Sequence, residues 1–146
     1  MRNYPNAVAA YRALVQHLSH QSFATADALF QIARLYQQNG QLEQAIAAYD
    51  NFFEKAAASS WRDDAVYNQA ICYQAIREFR KAHRGFSDYM SLGRDKKYYR
   101  EAEQYMRQFE LDQDGDGYMF YQEQQAGTSD QDANDYPGAQ KAQAGN

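Results

Sequence analysis

Residues 29–52 read LFQIARLYQQNGQLEQAIAAYDNF. The small residues Ala33 and Ala45 let two helices approach closely, and Tyr36 and Tyr49 fill the gaps to a neighbouring pair. Gly40 stands where the first helix must stop, because a residue without a Cβ enters the left-handed turn at no steric cost. The stretch therefore predicts a helical hairpin.

Sliding the sequence by 37 residues repeats this hairpin. Ala28, Ala65 and Ala102 coincide, as do Asp27, Asp64 and Glu101 just before them. Ala33 meets Ala70, Tyr36 meets Tyr73, Leu42 meets Phe79, Ala45 meets Ala82, and Tyr49 meets Phe86. Tyr4, Ala7 and Tyr11 precede Leu42, Ala45 and Tyr49 by 38. A period of this size predicts stacked helical hairpins. Helices are expected over about 5–18, 23–39, 42–57, 61–76, 79–92 and 96–111. Ser22 and Ser60 are the expected N-caps, and the repeated acids are expected in first turns, facing the positive end of each helix dipole.

These residues resemble the tetratricopeptide repeat (TPR) family. Ala33, Tyr36, Gly40, Leu42, Ala45 and Tyr49 follow its motif in order, over a chain segment of roughly residues 4–110. The second copy has Arg77 where the glycine belongs, neither copy has the closing proline, and the period exceeds the usual 34 residues. Longer repeats of this texture are similar to bacterial envelope TPR proteins of the outer-membrane assembly and Tol-Pal type. The resemblance implies a right-handed all-α solenoid of about six antiparallel helices with a peptide groove lined by the first helix of each hairpin. Transferred position by position, that groove comprises Phe30, Arg34, Gln37, Tyr67, Ile71, Gln74, Gln104 and Gln108, with Asp27, Gln38 and Asp64 beside them. In this register the array starts on a second-type helix and ends on a first-type helix.

The composition agrees with helix. Alanine numbers 24 and glutamine 18, against nine valine, isoleucine and threonine residues together. The two prolines, Pro5 and Pro137, lie near the termini, so none interrupts the predicted helices. No apolar run approaches a membrane span, and the N-terminal residues lack the pattern of a signal peptide. The lone Cys72 excludes an intrachain disulfide and reads as a buried thiol. The scattered His17, His20 and His83 form no catalytic or zinc pattern, and no phosphate-binding glycine loop occurs, so no enzymatic activity is expected.

The net charge of −4 is unevenly spread. Residues 1–109 carry +3 and residues 110–146 carry −7. The basic residues Arg77, Arg80, Lys81, Arg84, Arg94, Lys96, Lys97 and Arg100 are interleaved with Glu78, Asp88 and Asp95, which reads as a solvated face. Nucleic-acid binding would need a stronger basic excess.

The acidic part contains DQDGDGYMFYQE at residues 112–123. Asp112, Asp114 and Asp116 stand at positions 1, 3 and 5, Gly117 at 6, Tyr118 at 7 and Glu123 at 12. This is the ligand spacing of an EF-hand calcium loop, with side-chain oxygens from the four acids and the Tyr118 carbonyl. Phe120 at position 9 offers no oxygen, so water is expected there. The site falls one period after the Arg77–Phe79 turn. The sixth helix then doubles as the entering helix, and Gly127 cuts the exiting helix short. Such loops normally pair through position 8, here Met119. The segment from Asp130 is no twin, because Asp135, Pro137 and Lys141 stand at its glycine position, position 8 and position 12.

Three segments are expected: a solenoid over 1–111, the calcium loop and short helix over 112–127, and a polar acidic tail over 128–146 that is disordered by composition. The expected function is a protein or peptide scaffold whose C-terminal cap is ordered by calcium. The alternative is head-to-tail self-assembly, with Tyr4, Tyr11, Leu14 and Leu18 completing the last repeat of another copy. A calcium sensor is a third reading, disfavoured by the single loop. A lone loop suits the calcium levels of the periplasm or the outside. A native Met1 start would instead imply the cytoplasm.

Overall fold

Seven helices run through the residues that the computed structural model describes, 4–17, 23–56, 58–111 and 119–127. They are α1 (Tyr4–His17), α2 (Phe23–Gln38), α3 (Leu42–Ala56), α4 (Arg62–Ala75), α5 (Phe79–Ser91), α6 (Tyr99–Phe109) and α7 (Phe120–Ala126). Within each of two units, neighbours in sequence pack as antiparallel pairs, consistent with a helical repeat. The chain divides into two units, Met1–Ile76 and Arg77–Asn146.

In the first unit α2 lies against α1 and α3, and α4 packs mainly on α3. The repeated alanines are what make this possible. Ala28, Ala33, Ala45 and Ala65 are all buried, so the helix backbones approach over methyl groups. Phe30, Tyr49 and Phe52 fill the remaining space. The Phe30 ring stacks on Trp61 at 4.9 Å and stands 6.2 and 6.0 Å from Tyr49 and Phe52. The Tyr49 hydroxyl is not stranded in this apolar cluster, because it donates to Gln37 Oε1 at 2.8 Å. Cys72 joins the same cluster, and its burial pushes the thiol up to about 12. The neutral, unreactive form predominates at physiological pH.

In the second unit α5 packs on α6 and α7. Phe79, Ala82, Phe86, Tyr89, Ala102 and Phe109 are buried here. Phe86 and Tyr105 stack at 4.7 Å, and Phe79 meets both Phe109 and Phe120, at 5.9 and 5.8 Å.

Three readings at helix starts differ from the structure. Ser60 does not cap α4. Trp61 takes the N-cap position, and its N–H donates to Ser59 Oγ at 3.2 Å in a tight turn fixed by the Phe30 stack. Asp27 lies beyond the first turn of α2, where the dipole effect has faded, and accepts from Gln31 at 3.5 Å. Asp64 and Glu101 do stand in first turns. Finally, α6 begins at Tyr99 rather than near 96. The buried Tyr89 hydroxyl takes the Tyr98 N–H at 3.0 Å, and Gly93 at φ 134° begins a turn closed by the Lys96 N–H.

Helix ends follow the repeat closely. Gly40 adopts φ 75°, with Gly40 N–H to Gln37 O and Gln41 N–H to Tyr36 O, the double closure of a left-handed helix stop. One period later Arg77 adopts φ 64° without being glycine. A Cβ in that conformation costs about 1–2 kcal/mol. The Arg77 guanidinium donates to Gln124 on α7 at 2.7 Å and lies over the Phe79 ring, which offsets part of that strain. Arg77→Gly and Arg77→Ala lose the same side-chain contacts, but only glycine releases the strain. Urea unfolding is expected to find the glycine variant more stable than the alanine variant by about 1 kcal/mol.

Candidate functional site

Four of the five expected calcium ligands, Asp112, Asp114, Asp116 and Tyr118, lie outside the described residues. What is described is the frame on either side of them. The Phe120 N–H donates to the Leu111 carbonyl at 2.7 Å, so the two flanks of the segment are tied to each other. Phe120, the position-9 residue with no oxygen to offer, packs its ring against Phe79 of α5. It works as an apolar anchor for α7. Gln124, one turn along, receives the Arg77 guanidinium.

The fifth expected ligand, Glu123, stands in the first turn of α7, and its side chain is fully buried. A carboxylate removed from water needs compensating charge or hydrogen bonds, or it must take up a proton. Calcium bound by six to eight oxygens is one such compensation, and the first turn of a helix also favours an anion. Gly127 ends α7 at φ 76°, as the sequence indicated. Among the described residues, no three His, Cys, Asp or Glu side chains gather as a metal site would require.

The expected peptide groove fares unevenly. Phe30 is a core residue, enclosed by Tyr49, Phe52 and Trp61, and Tyr67 is also buried. The Phe30 ring is consumed in packing and is not presented to a ligand. Gln37 is half-buried and engaged by Tyr49, and Arg34 lies beside the Phe30 ring at 5.9 Å. Ile71 and Gln74 are half-buried on α4. In the second unit Gln104 and Gln108 are exposed on α6.

A different concavity went unread in the sequence. A groove of about 470 Å³ lies among α1, α2 and α3, with Val15, Leu29, Ile32 and Ala48 on its walls and Arg12 and Tyr36 at its edge. Arg12 donates to the Tyr36 hydroxyl at 2.7 Å across it. The register holds the one available signal. Ala7 and Tyr11 repeat the fully buried Ala45 and Tyr49 of α3, yet both are only half-buried, as is Tyr4, and Leu14 is 43% exposed.

The self-assembly face is thus partly open, though Leu18 lies outside the described residues. Its expected receiver, α6, is less suitable. Arg107 stands one period after Ala70 and two after Ala33, and it is 76% exposed and paired with Glu103 at 3.4 Å. Where earlier copies have methyl groups, the third has an ion pair. Among the described residues no helix is long and apolar enough to cross a membrane. Comparison with protein-family models gives no match, and comparison with curated proteins gives none either.

The two roles of Phe30 are separable. As a core residue its truncation to alanine is expected to destabilise by about 3–5 kcal/mol in urea unfolding followed by Trp61 fluorescence. A groove residue would leave the midpoint nearly unchanged.

Proposed function

We propose that this chain is a non-enzymatic, TPR-like interaction scaffold whose C-terminal end is ordered by calcium. The carrying observation is the fully buried carboxylate of Glu123 at position 12, on a helix already anchored to α5. In this reading Asp112, Asp114, Asp116, the Tyr118 carbonyl and Glu123 surround the ion. Without it, four carboxylates would repel one another. With it, the segment between α6 and α7 becomes rigid and α7 is held on the repeat. Position 9 is filled by water, since Phe120 is turned to packing.

The alternation of Gly40 and Arg77 turns with buried alanines supports a TPR-like array. Its ligand would be an extended peptide of another protein. In the first unit Arg34, Gln37, Ile71 and Gln74 keep half-exposed side chains, and in the second unit Gln104 and Gln108 are exposed. The self-assembly alternative draws support from exposed Leu14, but the ion pair Glu103–Arg107 on α6 opposes the expected contact. A single loop of modest affinity suits the periplasm or the extracellular space.

The test is thermal unfolding and calorimetric titration in calcium and in chelator. Calcium at a hundredfold excess over its Kd adds about 2.7 kcal/mol by linkage, so the melting temperature is expected to rise by several degrees. The C-terminal residues are also expected to resist protease in calcium and to be cleaved in chelator. Identical melts and a flat titration would remove calcium from the function.

A further inference from the structure

α1 and α3 both lie against α2, and the space between them stays open as the groove of about 470 Å³ described above. The buried Leu29 and Ile32 of α2 form its floor. A second hollow, of about 490 Å³, adjoins it along α1, with Tyr4, Pro5 and Val8 on its wall. The two share Arg12, Gln16 and Tyr36, so they meet at the bond from the Arg12 guanidinium to the Tyr36 hydroxyl. Val8 of the second hollow and Val15 of the first each stand about one helical turn from Arg12, roughly 5 Å along the axis in opposite directions.

Among the described residues, Arg12 is the one charged side chain on the walls of either hollow. Its guanidinium bonds a neutral partner, the Tyr36 hydroxyl at 2.7 Å, and lies 5.9 Å from the centre of the same ring. No carboxylate among the described residues pairs with it. The Tyr36 hydroxyl accepts that bond and keeps its own hydrogen to donate. One period later the repeat has an acid in place of Arg12. That acid, Asp50, is satisfied by Gln69 Nε2 of α4 at 2.6 Å. Arg12 thus reverses the sign of its repeat position and has no such charged or amide partner.

A cation held between two apolar hollows complements an anion that carries apolar groups on both sides. In an extended peptide, residues i−2, i and i+2 point to one face and lie about 6.5–7 Å apart. An acid at i meets Arg12 and Tyr36 while aliphatic side chains at i−2 and i+2 enter the two hollows. The exposed Gln16 and Gln44 offer amides to the peptide main chain. A chain-terminal carboxylate fits less well, because its chain departs in one direction and leaves one hollow unfilled.

We infer that this face of α1, α2 and α3 docks an extended segment of another protein in which an Asp or Glu stands between aliphatic residues two positions away on either side. The carboxylate takes a charge-assisted pair from the Arg12 guanidinium and a hydrogen bond from the Tyr36 hydroxyl. The surface is distinct from the first-helix groove that contains Arg34, and it requires no calcium.

The experiment selects a phage-displayed library of random heptapeptides on the full chain in chelator. The enriched sequence is then synthesised with both ends blocked and titrated by calorimetry. Enrichment of an acid with aliphatic residues at both i−2 and i+2 is expected. Arg12→Gln is expected to bind the synthetic peptide at least about tenfold more weakly, because hydrogen bonds to a charged group are lost. Ala47→Glu keeps Arg12 and Tyr36 but sets a carboxylate on the exposed α3 wall of the groove, and a similar loss is expected. Arg34→Gln is expected to bind as wild type, and all three variants to melt with it. The inference is overturned if nothing is enriched, if the enriched sequences lack the acid, or if Arg12→Gln binds undiminished. Loss of binding in Arg34→Gln alone would move the ligand to the first-helix groove, overturning this site while supporting the scaffold reading. Concentration-dependent sedimentation abolished by Arg12→Gln would make the occupant a second copy and overturn the peptide assignment.

Discussion

Close approach over alanine is the constraint from which the first unit follows. At Ala28, Ala33, Ala45 and Ala65 there is no room for a longer side chain, and the helices come together because nothing holds them apart. Backbones that approach so closely leave gaps between the alanines, and only large flat groups fill them. Phe30, Tyr49, Phe52 and Trp61 do so as one cluster. Small and large residues are therefore one device, and neither works without the other. The same pairing recurs in the second unit, where Ala82 and Ala102 are buried with Phe79, Phe86 and Phe109.

The turns show how the repeat tolerates departure from its own pattern. Gly40 enters the left-handed region freely, whereas Arg77 does so against its Cβ. The compensation is specific to the second copy: only there does a later helix, α7, offer Gln124 to the guanidinium. An exception in the motif at residue 77 is thus explained by residues 47 positions away. Strain accepted in this way marks α7 as an integral part of the second unit, in keeping with the Phe79–Phe120 contact.

The proposed calcium role builds on that docking. Divalent ions bind carboxylates well when the carboxylates are already gathered, because the ion then need not overcome their repulsion and their entropy together. Glu123 is carried on a helix anchored through Phe120 and Gln124, so one residue of the proposed set is organised in advance. The third repeat meanwhile carries Arg107 and Glu103 where its predecessors pack.

Six of the seven helices were legible in the periodicity of alanines and aromatics, and the short seventh in Gly127. Local chemistry within a few residues governs these features, so the linear order carries them. Other features depend on partners far apart in the chain. The Tyr89 hydroxyl decides where α6 starts, Trp61 displaces Ser60 at the head of α4, and Phe30 is drawn from an expected groove into the core. The groove beside α1 and the burial of Glu123 belong to this second kind. Sequence determined which residues are small, large or charged at each turn of the repeat. Tertiary packing alone decided which of them are enclosed, because enclosure depends on what a distant segment brings to the same place.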